Sequence, residues 1–150
     1  MSPSRILLQR SLLVLFLTAG SAAALAWPAR TPTNDALEQA MGQMNAALKA
    51  LGKGITAETG TTALEELVKF EQAVIAAKVQ TPDSAAGVDE KKRPAFVTEF
   101  RVTLCEALKL ACDAEIAVAN GKYKEADGIV RSKLAGLKSA GHGKFKKDDE

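Results

Sequence analysis

Two side chains in this sequence have the chemistry to hold a metal from opposite sides. Met41 lies about two turns into the first predicted helix, and His142, the only histidine, lies near the end of the last. If the chain folds as an up-down-up-down helical bundle, both fall at the same end. A thioether facing an imidazole across a bundle makes an axial ligand pair for a haem iron. Such a pair fills both axial positions and leaves outer-sphere electron transfer as the chemistry. Three other readings stay open on these residues. A methionine in an apolar stripe is more often core filler, and a lone histidine near a C-terminus is more often solvated. Met41, Met44 and His142 are also soft ligands suited to Cu(I). Finally, a cofactor-free helical bundle would act as an interaction protein.

The elements that must position these residues are helices. Leu37, Met41, Met44, Leu48, Leu51 and Ile55 repeat at alternating spacings of four and three. This is one narrow apolar stripe on a helix that starts near Asp35, where Asp35-Ala36-Leu37-Glu38 has capping-box spacing. A second helix is expected from Thr62, with Thr62-Ala63-Leu64-Glu65 as its capping box, to Thr81-Pro82. Its stripe reads Leu64, Leu67, Val68, Val74, Ile75 and Lys78. Residues 83–93 read as a polar loop. A third helix starts at Pro94, a favoured first-turn residue, and presents Phe96, Phe100, Leu104, Ala107, Ala111, Ala114 and Val118 on one face. It ends at Asn120-Gly121. The fourth runs from about Lys122, with apolar positions Tyr123, Ala126, Ile129, Val130, Leu134, Leu137 and Phe145. No stretch alternates as a strand would. The expected fold is all-α, an antiparallel up-down-up-down four-helix bundle.

The N-terminus reads as an export signal: Arg5 and Arg10, an apolar core over Leu12–Leu17, then Ala24-Leu25-Ala26 as an A-x-A cleavage pattern. The run is too short to span a bilayer core of about 30 Å. Cleavage after Ala26 makes residues 1–26 a signal peptide and 27–150 one mature domain, periplasmic and without a membrane anchor. Of 20 Lys+Arg and 18 Asp+Glu, the signal takes two arginines and no acid, leaving 18 of each. A nucleic-acid partner would need clustered basic residues on one face, and this balance gives no such footprint. Cys105 and Cys112 lie seven residues apart on one helix, about 10.5 Å along its axis. That is beyond the Cα separation of about 7 Å that a disulfide bridges. Both are expected as half-buried small hydrophobes, with a monomer as the expected state and a dimer through this flank as the alternative.

In the bundle so drawn, Met41, Met44, Phe70, Phe96, Phe100, Leu104, His142 and Phe145 all fall in one half. The mature domain's four phenylalanines are all there. Large side chains to wall a flat apolar cofactor thus sit with the two ligands. On an ideal helix, however, His142 lies roughly 100° from the centre of the fourth stripe, nearer the face of Leu134 and Lys138. Gly136, Gly141 and Gly143 weaken that last stretch by about 1 kcal/mol each relative to alanine. One histidine and no nucleophile–base pattern give no constellation for hydrolytic or acid–base catalysis, so no enzyme activity is expected. There is no Cys-x-x-Cys-His, the signature of covalent haem attachment.

Leu37-Glu38-x-x-Met41-x-x-Met44-Asn45-x-x-Leu48-Lys49 resembles the opening helix of the periplasmic cytochrome b-562 family. Phe100-Arg101, Ala119-Asn120-Gly121-Lys122-x-Lys124-Glu125-Ala126 and His142-Gly143-Lys144-Phe145-Lys146 resemble later parts of it. The resemblance covers essentially the whole mature chain. It implies a haem b held non-covalently, one per chain, with Met41 and His142 as axial ligands. Met44, Phe70, Phe100, Leu104 and Lys138 would line it, and redox proteins would be its partners. Relative to the family, Leu104 stands where a phenylalanine is usual and Lys138 where an arginine is usual. The last helix carries one extra residue, which rotates its upper half relative to His142.

Overall fold

Four helices follow one another with no strand among the described residues. The structure is a computed structural model and describes residues 34–146. The expected signal peptide at 1–26, the lead-in at 27–33 and the tail at 147–150 lie outside the described residues. Helix α1 spans Asn34–Leu51, α2 Gly60–Ala77 and α3 Arg93–Ala119. Helix α4 is continuous but changes pitch twice: α-helical over Tyr123–Gly128, π-helical over Ile129–Leu134, α-helical again over Ala135–Phe145. A short 3-10 turn, Asp83–Gly87, lies within the stretch expected as an irregular loop. Consecutive helices pack antiparallel as a four-helix bundle, α1 on α2, α2 on α3 and α3 on α4, while α1 and α4 stand apart.

Alanine does much of the core packing. Ala40 and Ala47 of α1 are buried, whereas Met41, Met44 and Leu48 are only partly so. Leu37, Leu51 and Ile55 of the expected stripe are buried, so the stripe holds at its ends and only its middle, Met41 to Leu48, gives way to Ala40 and Ala47. In α2 the buried row is Ala63, Leu67, Phe70, Val74 and Ala77, and Val68 and Ile75, expected inside, are 39% and 49% exposed. The sequence reading weighted the bulky aliphatics. The close approach of α2 to its neighbours selects instead the face whose residues are small. Burying a large apolar side chain contributes about 1.5–3 kcal/mol, and Leu67, Phe70, Val74 and Leu134 are the largest fully buried ones. The faces expected for α3 and α4 hold.

The capping box expected at Thr62 is displaced, because α2 begins two residues earlier. Thr59 occupies the cap position without a side-chain bond to the helix. Its hydroxyl instead donates to the Gly54 carbonyl at 3.1 Å and accepts from the Thr56 amide at 2.8 Å, closing the α1–α2 turn. Gly60 begins the helix, and a side chain there is disfavoured because a Cβ would stand 2.9 Å from Cε1 of the Tyr123 ring. Asp35 likewise sits inside the first turn of α1, where its charge faces the positive end of the helix dipole. At this end of the bundle the Asp127 carboxylate accepts from the Ile55 amide at 3.2 Å and from Arg131 Nε at 2.9 Å, tying α4 to the α1–α2 turn.

Between α2 and α3, Cys112 is half-buried, as expected, but Cys105 is exposed, because it points outward from the helix pair. Both are free thiols. Beside Cys112, burial and then the Glu115 charge hold the Glu71 carboxyl above its ordinary value, and Glu71 Oε1 is buried without a hydrogen-bond partner. A raised carboxyl favours the folded state while protonated, and that contribution is lost as pH rises above the ordinary value of 4.5. Glu71→Gln is therefore expected to unfold at higher temperature than the wild type at pH 7, with the gap closing below pH 4.5, as followed by circular dichroism. Leu67→Ala, in the wholly buried row, is expected to lower stability by about 2–5 kcal/mol in urea titrations.

Candidate functional site

The offset of the α1 core leaves Met41 and Met44 on the edge that faces α4. There the bundle opens into a cavity of about 770 Å³, within the size range of about 300–1,000 Å³ usual for ligand sites. Met41, Met44, Phe70, Phe100, Leu104, Lys138 and His142, the seven residues singled out in the sequence, all line it. Phe70 and Phe100 are among the least exposed side chains of the protein, so the back wall is dry and rigid. Met41 comes from α1 and His142 from α4, so the thioether and the imidazole enter the cavity from different helices.

His142 reaches the cavity because of the π turn. An uninterrupted α-helix would place it roughly 100° away from the apolar stripe. The π turn, with its wider i→i+5 bonding, absorbs one residue of rotation. Beyond it the lining positions run Leu134, Leu137 and Lys138, Gly141 and His142, then Phe145, a regular helical phase. A π turn holds one residue more than an α turn, so the one at Ile129–Leu134 gives room for a residue of the kind the resemblance implies while the face downstream keeps its direction.

The glycine-rich end of α4 stays helical to Phe145 because it is tied from three sides. The Phe145 ring packs edge-on against Phe96 and Phe100, with centroids 5.2 Å and 5.4 Å apart. Ser84 Oγ donates to the Phe145 carbonyl at 2.7 Å, capping the helix end, and Lys144 pairs with Glu99. The turn that supplies Ser84 is itself held to α3: Arg93 donates to the Ala85 carbonyl at 3.0 Å and the Val88 carbonyl at 3.2 Å.

His142 lies at the mouth, open to solvent on one side. Partial burial, then the Lys138 and Lys146 charges, push its imidazole below the ordinary value. The neutral, ligating form therefore prevails at neutral pH. Lys138 Nζ donates to Asn45 Oδ1 at 2.6 Å, bridging α4 to α1. Asn45 and Lys146 were not singled out in the sequence, although each lies four residues beyond a proposed ligand and so on its face. Pro82 and Asp83, which also line the cavity, carry no local signal. Among the described residues no three of His, Cys, Asp and Glu converge as a metal site.

Deleting Ser132 is expected to convert the π turn to α-helix while His142 keeps facing the cavity. Its imidazole would then still titrate below the ordinary value by NMR. Deleting Ser139 as well would turn the end of the helix by about 100° and return the titration to the ordinary value.

A family model described as Cytochrome b562 matches residues 36–146, from the first turn of α1 to the end of α4. A search of curated proteins found no match. No helix among the described residues is long and apolar enough to cross a membrane. The donors, the phenylalanine wall and the bundle that carries them coincide with the span of that match, and the chain belongs to the cytochrome b562 family of haem-binding, electron-carrying helical proteins.

Proposed function

We propose that this chain is a periplasmic electron carrier that holds one haem b non-covalently between Met41 and His142. The observation that carries this reading is that a thioether of α1 and an imidazole of α4 line one cavity whose apolar walls are mainly phenylalanine, methionine and leucine, with Glu38, Asp83, Lys138 and Lys146 also lining it. The fit is chemical as well as spatial. The Met41 thioether and the His142 imidazole are donors suited to the two axial positions of a porphyrin iron. The absence of Cys-x-x-Cys-His supports non-covalent binding.

Bound there, the haem would supply a one-electron couple, whose potential Met/His ligation raises relative to many other ligand sets. Met41 would offer a soft, weak donor, and His142 a nitrogen kept unprotonated by its surroundings. Phe70, Phe100, Leu104 and Met44 would exclude water from the macrocycle faces. Lys138 and Lys146 would set cations at the mouth, where the porphyrin's carboxylates can meet them. With both axial positions filled by protein, no site remains for a substrate, so electron transfer without bond-making is the expected activity.

Haemin titration of protein made without a histidine tag tests this. A stoichiometric low-spin spectrum, lost in both Met41→Ala and His142→Ala, is expected. Retention in His142→Ala would overturn the ligand assignment. Cu(I) binding with no haem spectrum would overturn the cofactor. An exported product whose mass matches residues 27–150 would support the localisation, and full-length protein left in the cytoplasm would refute it.

A further inference from the structure

The charges of this bundle are unevenly placed. From Ile129 to Lys146, α4 carries Arg131, Lys133, Lys138, Lys144 and Lys146 and no carboxylate. Helix α2 carries Glu65, Glu66 and Glu71 against Lys69. Helix α3 carries Glu99, Glu106, Asp113 and Glu115 against Arg93, Arg101 and Lys109. The mature chain is balanced, so this is a separation of charge and not an excess. Helix α1 adds Asp35 and Glu38 in its first turns against Lys49 near its end, so the basic part of the α1–α4 side is the stretch where Lys49 faces residues 130–138.

On that side a second groove, about 510 Å³, continues from the cavity along the α1–α4 seam. Its floor is Leu48, Val130 and Ala135, its rim is Lys49, Arg131 and Lys138, and no carboxylate lines it. Lys138 donates to a neutral amide, Asn45, so that bond leaves its charge uncompensated. Lys49 has no ion pair among the described residues. Arg131 is paired with Asp127 at 2.9 Å, so the net cations of the rim are Lys49 and Lys138. Asn45, Leu48 and Lys138 line both the groove and the cavity that holds Met41 and His142.

We infer that the α1–α4 seam is the docking surface for the acidic face of a partner protein. This rests on the electron-carrier reading, to which it adds the chemistry of the partner. Cations around a small apolar floor match a protein surface of carboxylates around a few apolar side chains. Opposite fields speed encounter by about 10–10³-fold and align the partners before contact. A partner seated there lies directly against the open edge of the cofactor cavity. The complex would be transient and weakened by salt.

The test is an NMR titration of the ¹⁵N-labelled protein with a ten-residue glutamate peptide at low ionic strength. Shifts confined to amides of 45–52 and 130–138 are expected, lost near 1 M salt, where the screening length is about 3 Å. Lys49→Glu combined with Arg131→Gln, neither lining the cofactor cavity, is expected to weaken the peptide about tenfold. In the haem-loaded form the same variant should be oxidised more slowly by hexacyanoferrate(III) and faster by hexaammineruthenium(III), with an unchanged absorption spectrum. Shifts on α2 and α3, no shifts, or equal binding to the variant would overturn the proposal. So would a DNA oligonucleotide that moves the same amides more strongly than the peptide. Peptide binding at the seam in a protein that fails to take haem would sink the electron-carrier reading and leave the docking surface for an acidic partner standing. Haem binding with an unresponsive seam would do the reverse.

Discussion

The architecture depends on how close each pair of helices can come. Alanine at Ala40, Ala47, Ala63, Ala77, Ala107, Ala111 and Ala114 lets backbones approach and closes three seams of the bundle. At the fourth seam, α1 offers Met41, Met44 and Leu48, and the facing helix offers Leu137, Lys138 and His142. These side chains are too long to interdigitate at alanine distances, so the seam stays open. The cavity is therefore a product of side-chain size and not of a hole cut into an otherwise complete core.

That arrangement separates two tasks. The tight seams hold stability, with Leu67, Phe70 and Val74 wholly enclosed. The open seam holds chemistry, with half-buried sulfur, a partly desolvated imidazole and exposed cations. The pieces that steady the open side are peripheral: Ser84 on the end of α4, Phe145 between Phe96 and Phe100, and Lys138 bridging to Asn45. Asp127 does the same at the far end, through Ile55 and Arg131.

The fold class was legible in the helical periodicity, and the seven singled-out residues that line the cavity were legible in part from pattern and in part only from resemblance, as Lys138 was. On α3, Phe100 and Leu104 point the same way as the alanines below them, so the large side chains mark the buried face correctly. On α1 and α2 the large and small residues disagree. Val68 and Ile75 look like core by type, yet Ala63 and Ala77 take the core by size. Pattern reading weights bulk, while packing rewards fit. The α2 start differs because Thr59 holds the cap position while its hydroxyl bonds across the turn to Gly54 and Thr56, so no side-chain cap marks it in the sequence. The resemblance implies one extra residue in the last helix, but nothing in the sequence marks the π turn at Ile129–Leu134. Ile129, Val130 and Leu134 are apolar enough to satisfy either pitch.

The π turn of α4 also bears on how such a chain can change over generations. Adding a single codon to a helix ordinarily displaces every later side chain around the axis and destroys whatever those side chains were holding. Here a π turn of six residues, on a stretch away from both proposed ligands, can hold one residue more than an α-helix would. Length variation in this helix is therefore not equivalent to loss of the centre. Descendants that gain or shed one residue near Ile129–Leu134 can keep a working site throughout, whereas a change of two residues has no such refuge.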